Sequence, residues 1–192
     1  MKSLSIIRNE HRNLAAVLFS MEKLIDEIES GKQPEFKVFH GLLTYIDRFL
    51  EQYHHPKEDK YLFPVLMQRC PEITAVLEER AQEHRDGQQW LFQVLKALSA
   101  YESLGDGERA GFAGTLRRYI DFERNHAISE EKRILPLARE KLLPADWDHI
   151  DAAFTKNQDP LFGDARRAGF EELYSTITAM VPPPYGLGSD WR

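Results

Sequence analysis

HHPKEDKYLFP, residues 54–64, and HAISEEKRILP, residues 126–136, are two copies of one phrase set 72 residues apart. Both read His, three residues, Glu, a second acid, Lys, one residue, an aliphatic residue, an apolar residue and Pro. Working outward, Glu10-His11 precedes the first copy and Glu83-His84 the second, at nearly the same remove. The chain therefore repeats one unit, Glu-His … His-x3-Glu. A His and a Glu four residues apart lie on one helix face, so each phrase can grip one cation. Two such units supply what a two-metal site between two halves requires.

The apolar pattern around these phrases is helical throughout. Leu4, Ile7, His11, Leu14, Leu18, Met21, Ile25 and Ile28 alternate in steps of three and four, with His11 on the inward stripe. Gly31 and Pro34 break the chain, and a second stripe follows through Phe39, Leu43, Ile46, Leu50, His54, Glu58 and Val65. Pro56 and Pro64 lack an amide donor and are expected to kink this helix or end its last turn. Pro71 opens a third helix, with Leu77, His84, Leu91 and Leu98 a heptad apart. After Gly105-Asp106-Gly107 a fourth carries Phe112, Leu116, Tyr119, Glu123, His126, Glu130 and Leu137 inward. No strand pattern appears.

Helices joined by short loops pack as antiparallel neighbours, so the expected fold is all-α, an up-down-up-down four-helix bundle over residues 1–143. Counting from the loop midpoints at ~1.5 Å per residue brings His11, His54, Glu58, His84, His126 and Glu130 to within about one helical turn of one level. Residues 144–192 read as an appendage. It comprises a Pro-started helix in PADWDHIDAAFTKNQDP, another over 165–180, and a Pro- and Gly-rich tail, VPPPYGLGSDWR.

Composition sets outer bounds. At 192 residues the chain is one domain, or one domain with a tail. Its charge of −6, with no basic stretch interleaved with aromatics, speaks against nucleic acid as partner. The single Cys70 excludes an internal disulfide and a cysteine-held zinc or iron–sulfur site. The apolar run at 14–21 is too short for a bilayer span of ~20 residues and continues the helical stripe, so a cytoplasmic protein without membrane contact is expected. Oligomeric state is not legible.

Four inward histidines and two inward carboxylates at one level are costly to bury unless a cation satisfies them. Imidazole with carboxylate and without thiolate suits iron, manganese or zinc. If Glu58 and Glu130 both bridge, they make about four bonds, the four His about four more, and a bridging oxygen about two. That fills roughly ten of the twelve positions of two octahedral ions. His55 either takes an open position or is a partly exposed residue before Pro56. Glu123 and Glu51 are expected behind the ligands, holding His N–H groups. Asp59 and Glu131, beside Lys60 and Lys132, read as a solvated face; His40 and His149 read as surface residues.

His11, the segment HHPKEDKYLFP with His54 and Glu58, His84, and His126 with Glu130 together resemble the hemerythrin-like family, also called the HHE cation-binding domain. The resemblance covers residues 1 to about 140. It implies a four-helix bundle holding a non-haem di-iron centre, with Glu58 and Glu130 bridging and an oxo or hydroxo bridge between the irons. It also implies interaction with dioxygen, nitric oxide or peroxide, or a role in iron sensing or handling. Two departures stand out. Where oxygen-carrying hemerythrins have a fifth His, one turn after the third-helix His, this chain has Gln88. Their second bridging acid is Asp five residues after its His, whereas Glu130 follows by four. The departures point away from simple oxygen carriage and toward a more open centre. Tyr61 and Tyr119 are possible neighbours of that centre, although core packing accounts for both.

Two other readings compete. Glu51-x2-His54 and Glu123-x2-His126, with Glu10 and Glu83, match the Glu-x-x-His pattern of ferritin-like proteins, but that fold needs a long crossover and every loop here is short. Alternatively, a bound cation stabilises a non-enzymatic module whose appendage contacts a partner. No nucleophile–base constellation and no phosphate-cradling glycine loop appears, so no organic substrate is expected from motifs.

Overall fold

The computed structural model describes residues 1–154, 159–161 and 171–180. Helix α1 spans Lys2–Glu29, α2 runs through residues 36–69, α3 spans Thr74–Leu104 and α4 runs through residues 109–141. Two shorter helices follow, α5 at Pro144–Phe154 and α6 at Glu171–Met180. No strand occurs among the described residues, and no described helix is long and apolar enough to cross a membrane. The expected all-α class holds. The Pro/Gly-rich tail and the first part of the expected 165–180 helix lie outside the described residues.

The breaks are where backbone sterics require them. Gly31, after α1, and Gly105, after α3, have φ of 92° and 83°, a region open to glycine and strained for other residues. The prolines lie within the helix rather than at its end. Pro56 and Pro64 neither end α2 nor leave it regular, because each follows a π-helical stretch, Ile46–His54 and Glu58–Leu62. Pro136 likewise follows Glu130–Ile134. In an α-helix a proline ring meets the carbonyl four residues back. The widened turn shifts the hydrogen bonding to five residues, as in Phe63 N–H to Glu58 O and Leu135 N–H to Glu130 O, and the helix continues.

Ion pairs show that α1 and α4 run in opposite directions: Arg8 meets Glu131 at 3.3 Å, Arg124 meets Glu22 at 2.7 Å, and Arg117 meets Glu29 at 2.6 Å. The apolar stripes pack into two separate clusters. One gathers Leu14 to Ile28 of α1, Phe39 to Leu50 of α2, Leu91 to Tyr101 of α3 and Phe112 to Ile120 of α4. The other gathers Leu4, Ile7, Leu62, Phe63, Leu77, Ile134 and Leu135 with Trp147, Ile150 and Phe154 of α5. His11, His54, Glu58, His84, His126 and Glu130 fall in the gap between the clusters on all four long helices. Each polar set is thereby clamped from two sides by close-packed side chains.

The C-terminal elements pack on this frame. Asp151 of α5 caps α1 by accepting from the amides of Lys2 (2.9 Å) and Ser3 (2.8 Å), which an isolated helix leaves unpaired. Leu161, Leu173 and Ile177 join the first cluster. Asp159 accepts from the Tyr45 hydroxyl at 3.1 Å and from the Asn13 amide at 3.1 Å.

Candidate metal centre

Seven side chains meet in the gap, in two groups whose donor atoms lie within 4.8 Å of one another: His11, His54, Glu58 and Glu130, and then His55, His84 and His126. All are buried. The two Glu link the groups. Glu130 directs Oε2 toward His11 Nε2 (3.2 Å) and Oε1 toward His126 Nε2 (3.3 Å) and His84 Nε2 (3.8 Å). Glu58 Oε2 lies 3.5 Å from His54 Nε2 and 3.7 Å from His84 Nε2. Each carboxylate therefore stands between the groups, as a group shared by two ions would.

His55 is buried within the cluster rather than partly exposed. Its ring stacks on His84 at 4.0 Å between centroids and meets His126 at 5.3 Å. The π stretch Ile46–His54 explains how neighbouring residues both reach the interior. More residues per turn reduce the angle between successive side chains, so His54 and His55 share the inward face. The same position in the second half is Ala127, on a regular α-helix.

A cation fits this set because the set is incomplete without one. Both oxygens of Glu58, both of Glu130 and His11 Nε2 are buried with no hydrogen-bond partner. His84 Nε2 and His126 Nε2 point at each other across 3.0 Å. Unpaired buried polar groups cost on the order of 1–3 kcal/mol each, and a shared cation satisfies them together.

Behind the imidazoles stand four acids that the sequence reading missed in this role. His54 Nδ1–H donates to Glu10 (2.7 Å), His126 Nδ1–H to Glu83 (2.7 Å), His84 Nδ1–H to Asp59 (2.9 Å) and His11 Nδ1–H to Glu131 (3.0 Å). Each bond fixes the tautomer that leaves Nε2 facing the gap. Asp59 and Glu131 are therefore not simply a solvated face. Their charge is spent on the histidine of the opposite half, while Glu10 and Glu83 serve a histidine of their own half. Adjacency was the available signal: both halves place an acid directly beside a candidate ligand, at 10 and 83 and again at 59 and 131.

Glu51 and Glu123 do not hold histidine N–H groups as expected. Glu51 Oε2 is 3.6 Å from His55 Nδ1, too long for a hydrogen bond. The two carboxyls instead converge on Gly87, where a Cβ would stand 3.0 Å from Glu51 Oε1 and 3.2 Å from Glu123 Oε1. Burial, reinforced by Glu123, raises Glu51 to about 8, and burial raises Glu123 to about 7. Tyr119 is fully buried beside Glu123, and burial and that carboxylate push its hydroxyl up. Gln88 is exposed, because Gly87 takes the inward position one turn beyond His84. Tyr61 packs away from the centre, against His149 at 5.7 Å. His40 pairs with Glu102 on the surface at 3.0 Å.

The electrostatics of the cage follow from these contacts. Burial opposes charge on His11, but Glu130 and Glu131 outweigh it and raise the imidazole to about 10. Burial likewise opposes charge on His84, and Asp59 and Glu130 bring it up to about 9. Glu130 is held well below the carboxylate range despite burial, by His126 and His11. His55 has no such acid and is pushed well below 6.5 by burial and by the neighbouring histidines, so the neutral ring keeps one nitrogen lone pair for a cation.

A groove of about 410 Å3 between α1 and α4 borders the centre at His11 and is lined also by Ala127. No solved structure shows a significant match to the chain. Uncharacterized proteins of Mycobacterium tuberculosis and Mycobacterium bovis are 24% identical over 173 residues. That match takes in 89% of this chain and 66% of the relatives, so the chain spans just under two thirds of their length. The hemerythrin HHE cation binding domain model matches residues 2–138, which include all seven converging side chains. The chain belongs to the hemerythrin HHE cation-binding domain family.

Proposed function

We infer that the centre holds two cations, that these are iron, and that the pair interacts with a small ligand such as dioxygen, nitric oxide or peroxide. Five imidazoles and two carboxylates without thiolate support iron over soft metals, with manganese and zinc as fitting substitutes. Bound iron would supply Lewis acidity and redox capacity. The chain's own residues do the rest. Glu130 offers one oxygen to each side and Glu58 its Oε2 to both, the four acids at 10, 59, 83 and 131 aim the imidazoles, and the apolar clusters keep bulk water out.

The observation that carries the reading is the inequality of the halves. His55 would give one ion three imidazoles, while Ala127, which lines the groove, would leave the His11/His54 ion two. Those residues would thus leave room for a small ligand on that side. The departure at Gln88 is thus offset by His55, reached from a different helix.

Metal analysis with visible spectroscopy of the full chain tests this. Two irons per chain and an absorption band that changes on adding nitric oxide are expected. One zinc per chain with no spectral response would instead indicate a cation that only stabilises the bundle.

A further inference from the structure

We propose that the groove between α1 and α4 binds an aliphatic monocarboxylate, its head group at the His11 end and its chain along Leu14, Leu18 and Ile128. The role of this ligand rests on the metal-centre reading, since the groove ends at the side of the centre that lacks a fifth imidazole. Its binding rests on the groove alone. A diatomic molecule needs no such trough, whereas about 410 Å3 lies within the range of ~300–1,000 Å3 typical of small organic ligands.

The floor is apolar: Leu14 and Leu18 are buried, and Ala127 is half-buried. Ile128 forms a wall and is 41% exposed, one of few large apolar side chains left open to water among the described residues. The two ends differ in charge. Toward Leu18, Arg124 is held by Glu22 at 2.7 Å and Asp121 at 3.4 Å. At the His11 end Arg8 and Lys132 stand around a single lining acid, Glu131. Glu131 is committed to His11 Nδ1 at 3.0 Å and Arg8 at 3.3 Å. Lys132 has no ion-pair partner among the described residues. Excess positive charge at one end of an apolar trough, on a chain of net charge −6, selects an anion with an apolar tail.

The test is calorimetric titration of the full chain, metal-loaded and metal-free, with decanoate, decanol and decyltrimethylammonium. Saturable one-to-one binding of decanoate is expected in both forms, with the alcohol and the cation at least about tenfold weaker. Ile128→Asp, at an exposed position, should weaken decanoate by about tenfold or more, and Lys132→Glu by about threefold to tenfold. Circular dichroism checks that both variants keep the fold. Equal binding of the three probes, or of decanoate to wild type and Ile128→Asp, overturns the proposal. So does a dimer of this chain that excludes decanoate from the groove. Two irons with a nitric oxide response but no decanoate binding would overturn this inference alone. Decanoate binding by a protein that never takes up metal would overturn the metal-centre reading and leave the groove ligand standing.

Discussion

Replacing Glu10 by Gln should weaken one metal ion selectively. The Glu10–His54 bond is 2.7 Å long, with donor and acceptor side chains 1% and 4% exposed, so water cannot substitute for it. The amide keeps the shape of the acid but removes the charge that fixes the tautomer of His54. Loss of such an orienting carboxylate typically costs about 10–100-fold in metal affinity, or ~1.4–2.7 kcal/mol. The loss should fall on the ion shared by His11, His54, Glu58 and Glu130. Chelator competition on the full chain would then become two-phased, with one ion removed early and the His55/His84/His126 ion near its original affinity. Glu83→Gln is expected to cost less, because Glu83 is 24% exposed and water can reach the place of its carboxylate. Glu27→Gln, on the surface beside Lys32, serves as the control. If Glu10→Gln and Glu27→Gln release metal alike, the acids behind the imidazoles do not orient them and the reasoning fails.

The cage without metal carries protons that loading must expel. His11, raised to about 10, and His84, raised to about 9, are both cationic at neutral pH, so metal uptake at pH 7 should release at least two protons. Calorimetry in buffers of different ionisation heat would detect them. The sign for stability follows from the same shifts. Both imidazoles lie above their ordinary 6.5, so their contribution is complete below that pH and is lost as pH climbs through about 9 to 10. The thermal midpoint of the metal-free protein should therefore fall between pH 7 and 10 more than that of the loaded one. Ala127→His should equalise the halves and abolish the nitric oxide response while metal content stays at two; an unchanged response would place the open position elsewhere. Phe112, fully buried against Phe39 at 5.0 Å, should cost about 3–5 kcal/mol when cut to Ala. Denaturant unfolding measures that loss without reference to metal.

Much of this architecture is written in spacing. The heptad Leu77, His84, Leu91 and Leu98 is buried throughout, and counting along short-looped helices brings six of the seven converging residues to one height. What escaped has physical causes. His55 reaches inward only because a π stretch alters the helical period, and periodic templates assume 3.6 residues per turn. Asp59 and Glu131 sit beside lysines, so their local sequence is that of a wet surface, and only the third dimension discloses their bonds to His84 and His11. Glu51 and Glu123 were drawn toward the imidazoles by their inward phase, yet Gly87 offers them room elsewhere.

The exchange of acids between the halves has a mechanical outcome. Asp59 reaches across to the histidine of α3 and Glu131 to the histidine of α1, while Glu58 and Glu130 face both groups. Neither hairpin contains a finished cup for an ion, and each lends the other its missing rim. A bound cation would thus be a clasp at the seam of a duplicated chain, and releasing it would slacken both hairpins at once. Metal uptake and tightening of the seam would become one event, legible from far outside the cage as a change in how the bundle breathes.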